Sequence, residues 1–280
     1  MQEFIFANEP AIRLSFFLGM LLIMAGWEFV APRRPQAIPR RVRWPNNLGI
    51  VVVNTVVVRL LFPMAAVGLA VLADERGWGL FNVVSVHPAV ALIASVVLLD
   101  LAIYLQHVMF HAVPALWRLH RLHHADLEFD VTTGLRFHPV EIVLSMLIKF
   151  AVVVTLGPPA LAVLIFEVLL NAGAMFNHGN VRLPLGLDRL MRWLIVTPDM
   201  HRVHHSVLVG ETNSNFGFNL SCWDRALGTY REQPEAGHDG MTIGIDQFRE
   251  PGELRLDRML TQPARGSGTG YAINQRDKNR

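Results

Sequence analysis

Hydrophobic positions along this chain come in long runs, with the polar positions crowded between them. Residues 11–31 (AIRLSFFLGMLLIMAGWEFVA) form the first run, near the ~20 residues that cross a bilayer as a helix. A second run covers 48–73 and a third 88–106. Two shorter runs, 140–156 and 160–176, flank Gly157, Pro158 and Pro159. That arrangement predicts a tight helical hairpin that enters and leaves on one side. Lys149 and Glu167 are each nine residues from Pro158, so they lie level across the hairpin and are expected to pair, which lowers the cost of both charges. The pattern as a whole predicts an all-α fold. It is a polytopic integral membrane helical bundle of three spans plus the hairpin, with a histidine-rich helical cap on the cytoplasmic side.

The polar segments set orientation and boundaries. Residues 32–47 carry Arg33, Arg34, Arg40, Arg41 and Arg43 and no acid, which places this loop in the cytoplasm by the positive-inside rule. Residues 115–129 and 187–206 are amphipathic and read as interfacial helices. Beyond 231 the chain is mostly polar, and 266–280 is expected to be disordered. Three regions follow: membrane anchor 1–87, catalytic unit 88–230 and polar tail 231–280.

Composition narrows the class further. The chain has 280 residues, 52% of them hydrophobic and only 17% charged. A soluble domain has about 25% charged residues. A formal net charge of +2 does not point to a nucleic-acid partner. The single cysteine, Cys222, excludes an internal disulfide and a cysteine-ligated cluster. The first run lacks a basic leader and a small-residue cleavage pattern, so it reads as an anchor.

The candidate chemistry lies in histidines. Eight of twelve fall into three groups: His107 and His111; His120, His123 and His124; His201, His204 and His205. Residues four apart project from one helix face, and in H-x-x-H-H the second and third histidines fall about 60° and about 40° either side of the first. All three imidazoles are therefore expected to converge on one point. The hairpin returns His178 to the level of His107, and His138 opens the hairpin at that same level. Asp100, Tyr104, His107 and His111 share one stripe, with Asp100 about 10 Å deeper in the membrane. A carboxylate there is a functional candidate, read as orienting a ligand or a buried water network. Asp199 follows Pro198 as a helix N-cap or as an acid behind the ligands. Eight to ten imidazoles without an obligatory carboxylate suit two metals at four or five ligands each. They favour redox iron over a cysteine-bearing zinc site. A metal transporter or storage protein would need ligands along a path through the membrane, and here they gather on one side. A membrane zinc hydrolase would want three ligands and a Glu base, and no H-E-x-x-H occurs.

The ordered motifs DLAIYLQHVMFH (100–111), WRLHRLHH (117–124), FHPVE (137–141), NHGN (177–180), HRVHH (201–205), NFG (215–217) and WDRALGTY (223–230) together resemble the fatty acid hydroxylase/sterol desaturase superfamily. The resemblance covers about 90–230. It implies a non-haem di-iron oxygenase with O2 as co-substrate, performing hydroxylation or desaturation of a lipid such as a sterol, fatty acyl chain or isoprenoid. The metal ligands it implies are His107, His111, His120, His123, His124, His178, His201, His204 and His205. Asp100, Tyr104, Asp199 and Asn215 are the accompanying candidates. Relatives carry a further histidine one turn before the N-H-G one, where this chain has Ala174. Either the site has one ligand fewer or His138 supplies it. No fused cytochrome-like domain is seen in these residues, so a separate donor, ferredoxin or cytochrome type, is implied. An integral location follows, in the inner membrane for a bacterial protein.

Overall fold

The computed structural model describes residues 6–266 and 270–275. Five of its helical segments are long and apolar enough to cross a membrane. They are α1 (Glu9–Val30), α2 (Arg40–Leu61) with its continuation, α4 (Pro88–Ala112), α6 (Pro139–Leu156) and α7 (Ala160–Asn177). Their outward faces are apolar: Leu22 is 71% exposed, Ile93 61% and Leu60 80%. Such surfaces are stable against lipid and costly against water.

The second run is not the uninterrupted span expected over 48–73. Helix α2 begins earlier, at Arg40, and ends at Leu61 because Pro63 cannot continue the ladder. A separate short helix, α3 (Ala66–Glu75), then packs on α6 and α7. Ala66, Val67 and Ala70 of α3 share one core with Leu99, Ile103, Val153, Val163 and Phe166.

The hairpin turns as the sequence predicts. Gly157 caps α6 at φ 60°, where a side chain would be strained, and a Cβ there would come within 2.3 Å of the Trp78 carbonyl. Lys149 Nζ donates to Glu167 at 2.7 Å, and Arg13 of α1 adds a third charge at 3.1 Å from Glu167.

One end of the bundle is capped by α5 (Pro114–His124), the loop 125–138, the short helices α8 (Leu185–Met191) and α9 (Pro198–His204), and the chain after 205. Arg43, expected in the basic loop, is instead fully buried in this cap. It donates to Asp126 at 2.7 Å and also pairs with Asp130. Burial would raise the Asp126 carboxyl, but the guanidiniums of Arg43 and Arg136 outweigh it and hold the group below the usual carboxylate range. On α8 and just after it, Leu185, Leu190, Trp193 and Leu194 remain exposed, as befits an interfacial element. The C-terminal stretch folds back rather than trailing away. Tyr271 stacks on Trp117 with centroids 5.6 Å apart, and Ala272 is buried. Residues 267–269 and 276–280 of the stretch expected to be disordered lie outside the described residues.

Candidate metal centre

Four elements deliver histidines to the junction of bundle and cap. Helix α4 supplies His107 and His111 from its last turns, and α5 supplies His120, His123 and His124. His178 caps the C-terminus of α7, while α9 carries His201 and His204, with His205 at its C-cap. All nine are buried.

They form two groups, and each H-x-x-H-H motif divides between them. His107, His111, His120, His124 and His204 make the first group; His123, His178, His201 and His205 make the second. Convergence of all three histidines of a motif on one point is therefore corrected. Residues i and i+4 lie about 40° apart on a helix and stay together, whereas i+3 and i+4 diverge by about 100°. Thus α5 gives two ligands to the first group and one to the second, and α9 does the reverse.

The ring orientations are set from behind. His107 Nδ1 donates to the Phe216 carbonyl at 2.8 Å, His178 Nδ1 to Ala174 at 2.7 Å and His204 Nδ1 to Ser214 at 2.7 Å. His120 Nδ1 meets Glu141 Oε1 at 2.6 Å, and His111 Nδ1 meets Asn213 Oδ1 at 3.1 Å. A proton on Nδ1 leaves a bare lone pair on Nε2. In the first group those lone pairs face each other, whereas His123, His201 and His205 of the second have no partner at Nδ1. His107 Nε2 lies 3.1 Å from both His120 Nε2 and His204 Nε2. His178 Nε2 lies 3.1–3.2 Å from the Nε2 atoms of His201, His123 and His205.

Unprotonated nitrogens so close repel one another, and protonation is no remedy. Burial, reinforced for most by neighbouring imidazoles, holds the cap histidines below their ordinary pKa, His120 and His178 at about 3. A cation resolves the conflict in the first group, and the four converging histidines of the second offer a donor set of the same kind. Imidazoles bind such ions at about 2.0–2.1 Å, which places neighbouring donor atoms about 3 Å apart. The donor sets fit one metal ion per group.

Other sequence candidates fall elsewhere. His138 joins neither group: its Nδ1 accepts from Val140 N at 3.2 Å and its Nε2 faces the Leu260 carbonyl at 3.2 Å. Ala174 is thus not replaced as a ligand, and the second group holds four histidines. Asp100 makes no hydrogen bond to a histidine. It accepts from Asn219 Nδ2, Leu220 N and Trp223 Nε1, so it clamps the loop that carries the Phe216 carbonyl. Tyr104 hydrogen bonds to Thr229 at 2.7 Å and packs edge-on to Phe216. Asp199 pairs with Arg202 and Arg33, and Thr197 takes the N-cap role. Asn215, at φ 53°, bonds the Met200 carbonyl and both backbone polar groups of Arg231.

The residues missed are Glu141, Asn213 and Asp224. Asp224 binds the amides of Phe216 and Gly217 at 2.7 and 2.9 Å. Glu141 and Asp224 stand inside the motifs FHPVE and WDRALGTY, and Glu141 is also an acid in the first turn of an apolar helix; Asn213 carried no signal.

A cavity of about 620 Å3 starts at His107 and His120 and runs into the bundle between α1, α2, α4, α6 and α7. Phe17, Phe110, Ile142, Met146 and Phe218 contribute apolar wall.

Residues 92–229 match the fatty acid hydroxylase family model. Ornithine lipid hydroxylase from Rhizobium tropici is 29% identical over 191 residues, covering 68% of this chain and 55% of that protein. Alkylglycerol monooxygenase from Xenopus tropicalis is 28% identical over 166 residues (58% of this chain, 35% of that protein), and the Homo sapiens protein of that name is 26% identical over 167 residues, with the same coverage. The chain therefore spans between a third and just over half the length of these curated relatives. No solved structure matches. The matched segment, just under half of the chain, contains all nine converging histidines, and over that segment the chain is similar to the fatty acid hydroxylase family.

Proposed function

We propose that this chain is a membrane-bound di-iron oxygenase that hydroxylates a lipid with O2. The observation that carries this reading is the apolar cavity that begins at the first histidine group and runs into the helical bundle. A lipid can reach such a site from the bilayer without crossing water. When bound, two irons supply O2 activation and attack on a C–H bond. The protein's share is positioning. Glu141, Asn213 and three backbone carbonyls hold the imidazoles in their ligating orientation, and the apolar wall aligns the chain and keeps water out. On this reading 88–230 is the catalytic unit, 1–87 the anchor and 231–280 the polar tail. The arginines at 33–43 favour a cytoplasmic metal site, at the inner membrane in a bacterium. Electrons come from a separate ferredoxin or cytochrome-type donor.

The relatives named as a lipid hydroxylase and monooxygenases support hydroxylation over desaturation. The two histidine groups lie together at one end of the bundle, which does not serve a transport path. Comparing lipid extracts of cells with and without the gene tests the reading. A species heavier by one oxygen is expected. A loss of two hydrogens would replace hydroxylation by desaturation. Protein from its native host with full zinc, little iron and no O2 uptake with any lipid and reductant would overturn the oxygenase reading.

A further inference from the structure

We propose that Tyr271 is a positioning residue for the first histidine group, holding His111 and His124 in their ligating places from a segment far along the chain. This rests on the reading of the histidine groups as metal sites and adds a support that no histidine spacing indicates.

Two routes lead from Tyr271 to the group. The first runs through its backbone. The Tyr271 carbonyl accepts from Asn213 Nδ2 at 2.8 Å, and the Val209 carbonyl accepts from the same nitrogen at 3.1 Å. Only the amide nitrogen can donate to carbonyls, so Asn213 is fixed with Oδ1 towards His111 Nδ1, 3.1 Å away. An acceptor in that place selects the tautomer with its proton on Nδ1. His111 Nε2, which has no protein partner, is then bare for a metal.

The second route runs through the ring. Tyr271 stacks on Trp117 with the planes 16° apart. Trp117 in turn lies 4.9 Å from His111 and 5.3 Å from His124, centroid to centroid. His124 has no hydrogen bond at either ring nitrogen, so packing orients it.

Tyr271 itself is firmly held. It is 3% exposed, and its hydroxyl donates to the Val207 carbonyl at 2.8 Å and accepts from Asp246 N at 3.0 Å. Ala272 beside it is fully buried, and the turn Ile273–Gln275 lies against α4 and α5.

The test is cobalt(II) binding by the full chain in detergent, with no turnover required. Ligand-field absorption follows loading, and competition with a chelator gives affinity. His124→Ala and His123→Ala supply the spectra of protein impaired in the first or the second group. The parent is expected to take two ions. Tyr271→Ala is expected to bind the first-group ion about tenfold or more weakly and to keep the second-group ion at the parent's affinity. Tyr271→Phe keeps the ring and the carbonyl and is expected to keep first-group affinity. A purely structural role would weaken both groups alike, and that result would overturn the proposal. So would parent-like affinity at both groups, or a loss in Tyr271→Phe as deep as in Tyr271→Ala. Tyr271→Leu, which keeps apolar bulk without the stack, decides by the same criteria should the alanine variant fail to fold. A parent that takes up no cobalt would overturn the metal reading and this proposal with it. Selective first-group loss in a protein that oxidises no lipid would uphold the proposal and overturn the oxygenase reading alone.

Discussion

His123 and His124 are consecutive in the chain, yet their imidazoles serve different groups. Their ring centroids are 5.3 Å apart and the planes stand at 87°. His124 lies 4.6 Å, centroid to centroid, from His204 of the first group, and His123 lies 4.6 Å from His205 of the second. A one-residue step of about 100° on α5 is what separates the two groups.

Single ligand substitutions should therefore be selective. His124→Ala is expected to lose metal mainly from the first group and His123→Ala mainly from the second, each lowering content by about one ion of the pair. His120→Ala, at the cavity end, and His204→Ala, in the same group, should abolish turnover while the protein still inserts. Metal content by elemental analysis, set beside lipid turnover, checks both. Complete loss of both ions from every variant would show the groups to be one cooperative unit.

Glu141 acts on metal through His120. Glu141→Gln keeps the size of the side chain and weakens the contact made at 2.6 Å. Loss of such a partner costs about 10–100-fold in metal affinity. Competition with a chelator measures it, and an unchanged affinity would remove Glu141 from the ligand support.

Lys149 and Glu167 pair across the hairpin, and Arg13 shares Glu167. Removing Glu167 alone leaves two cations in the membrane, with an expected cost of about 3–5 kcal/mol. The double reversal Lys149→Glu/Glu167→Lys should recover only part of the loss, because the new lysine would face Arg13. Thermal unfolding in detergent of the singles and the double provides the comparison; full recovery would mean that Arg13 contributes nothing.

Acid should open the cap through Asp126. Its folded pKa lies below the ordinary 3.8, because Arg43 and Arg136 outweigh the effect of burial. The unfolded chain then binds the extra proton first. The stabilisation is complete above about pH 4 and drains as pH falls through the lower folded value. Asp126→Asn should lower stability at neutral pH by about 3–5 kcal/mol and flatten the acid limb. An acid limb as steep as the parent's would assign that transition to other carboxyls.

Much of this molecule is legible in its linear pattern. Run lengths mark the apolar segments, the GPP turn marks the hairpin, and equal distances from Pro158 place Lys149 opposite Glu167. The nine histidines stand out because their spacings repeat, and helical periodicity is a local property that survives without tertiary contacts. Pro63 was legible too, as a helix breaker inside the second run, but hydropathy alone read through it.

What the sequence by itself determined is which residues face inward together along each helix, since that depends only on a rotation of about 100° per residue. What only the tertiary structure decided is how those faces meet. The reciprocal sharing of histidines by α5 and α9, the use of Glu141 behind His120, the loop clamp made by Asp100 and the withdrawal of His138 to a helix cap all depend on contacts between residues far apart in the chain. No local spacing encodes such contacts, because they follow from how whole helices pack.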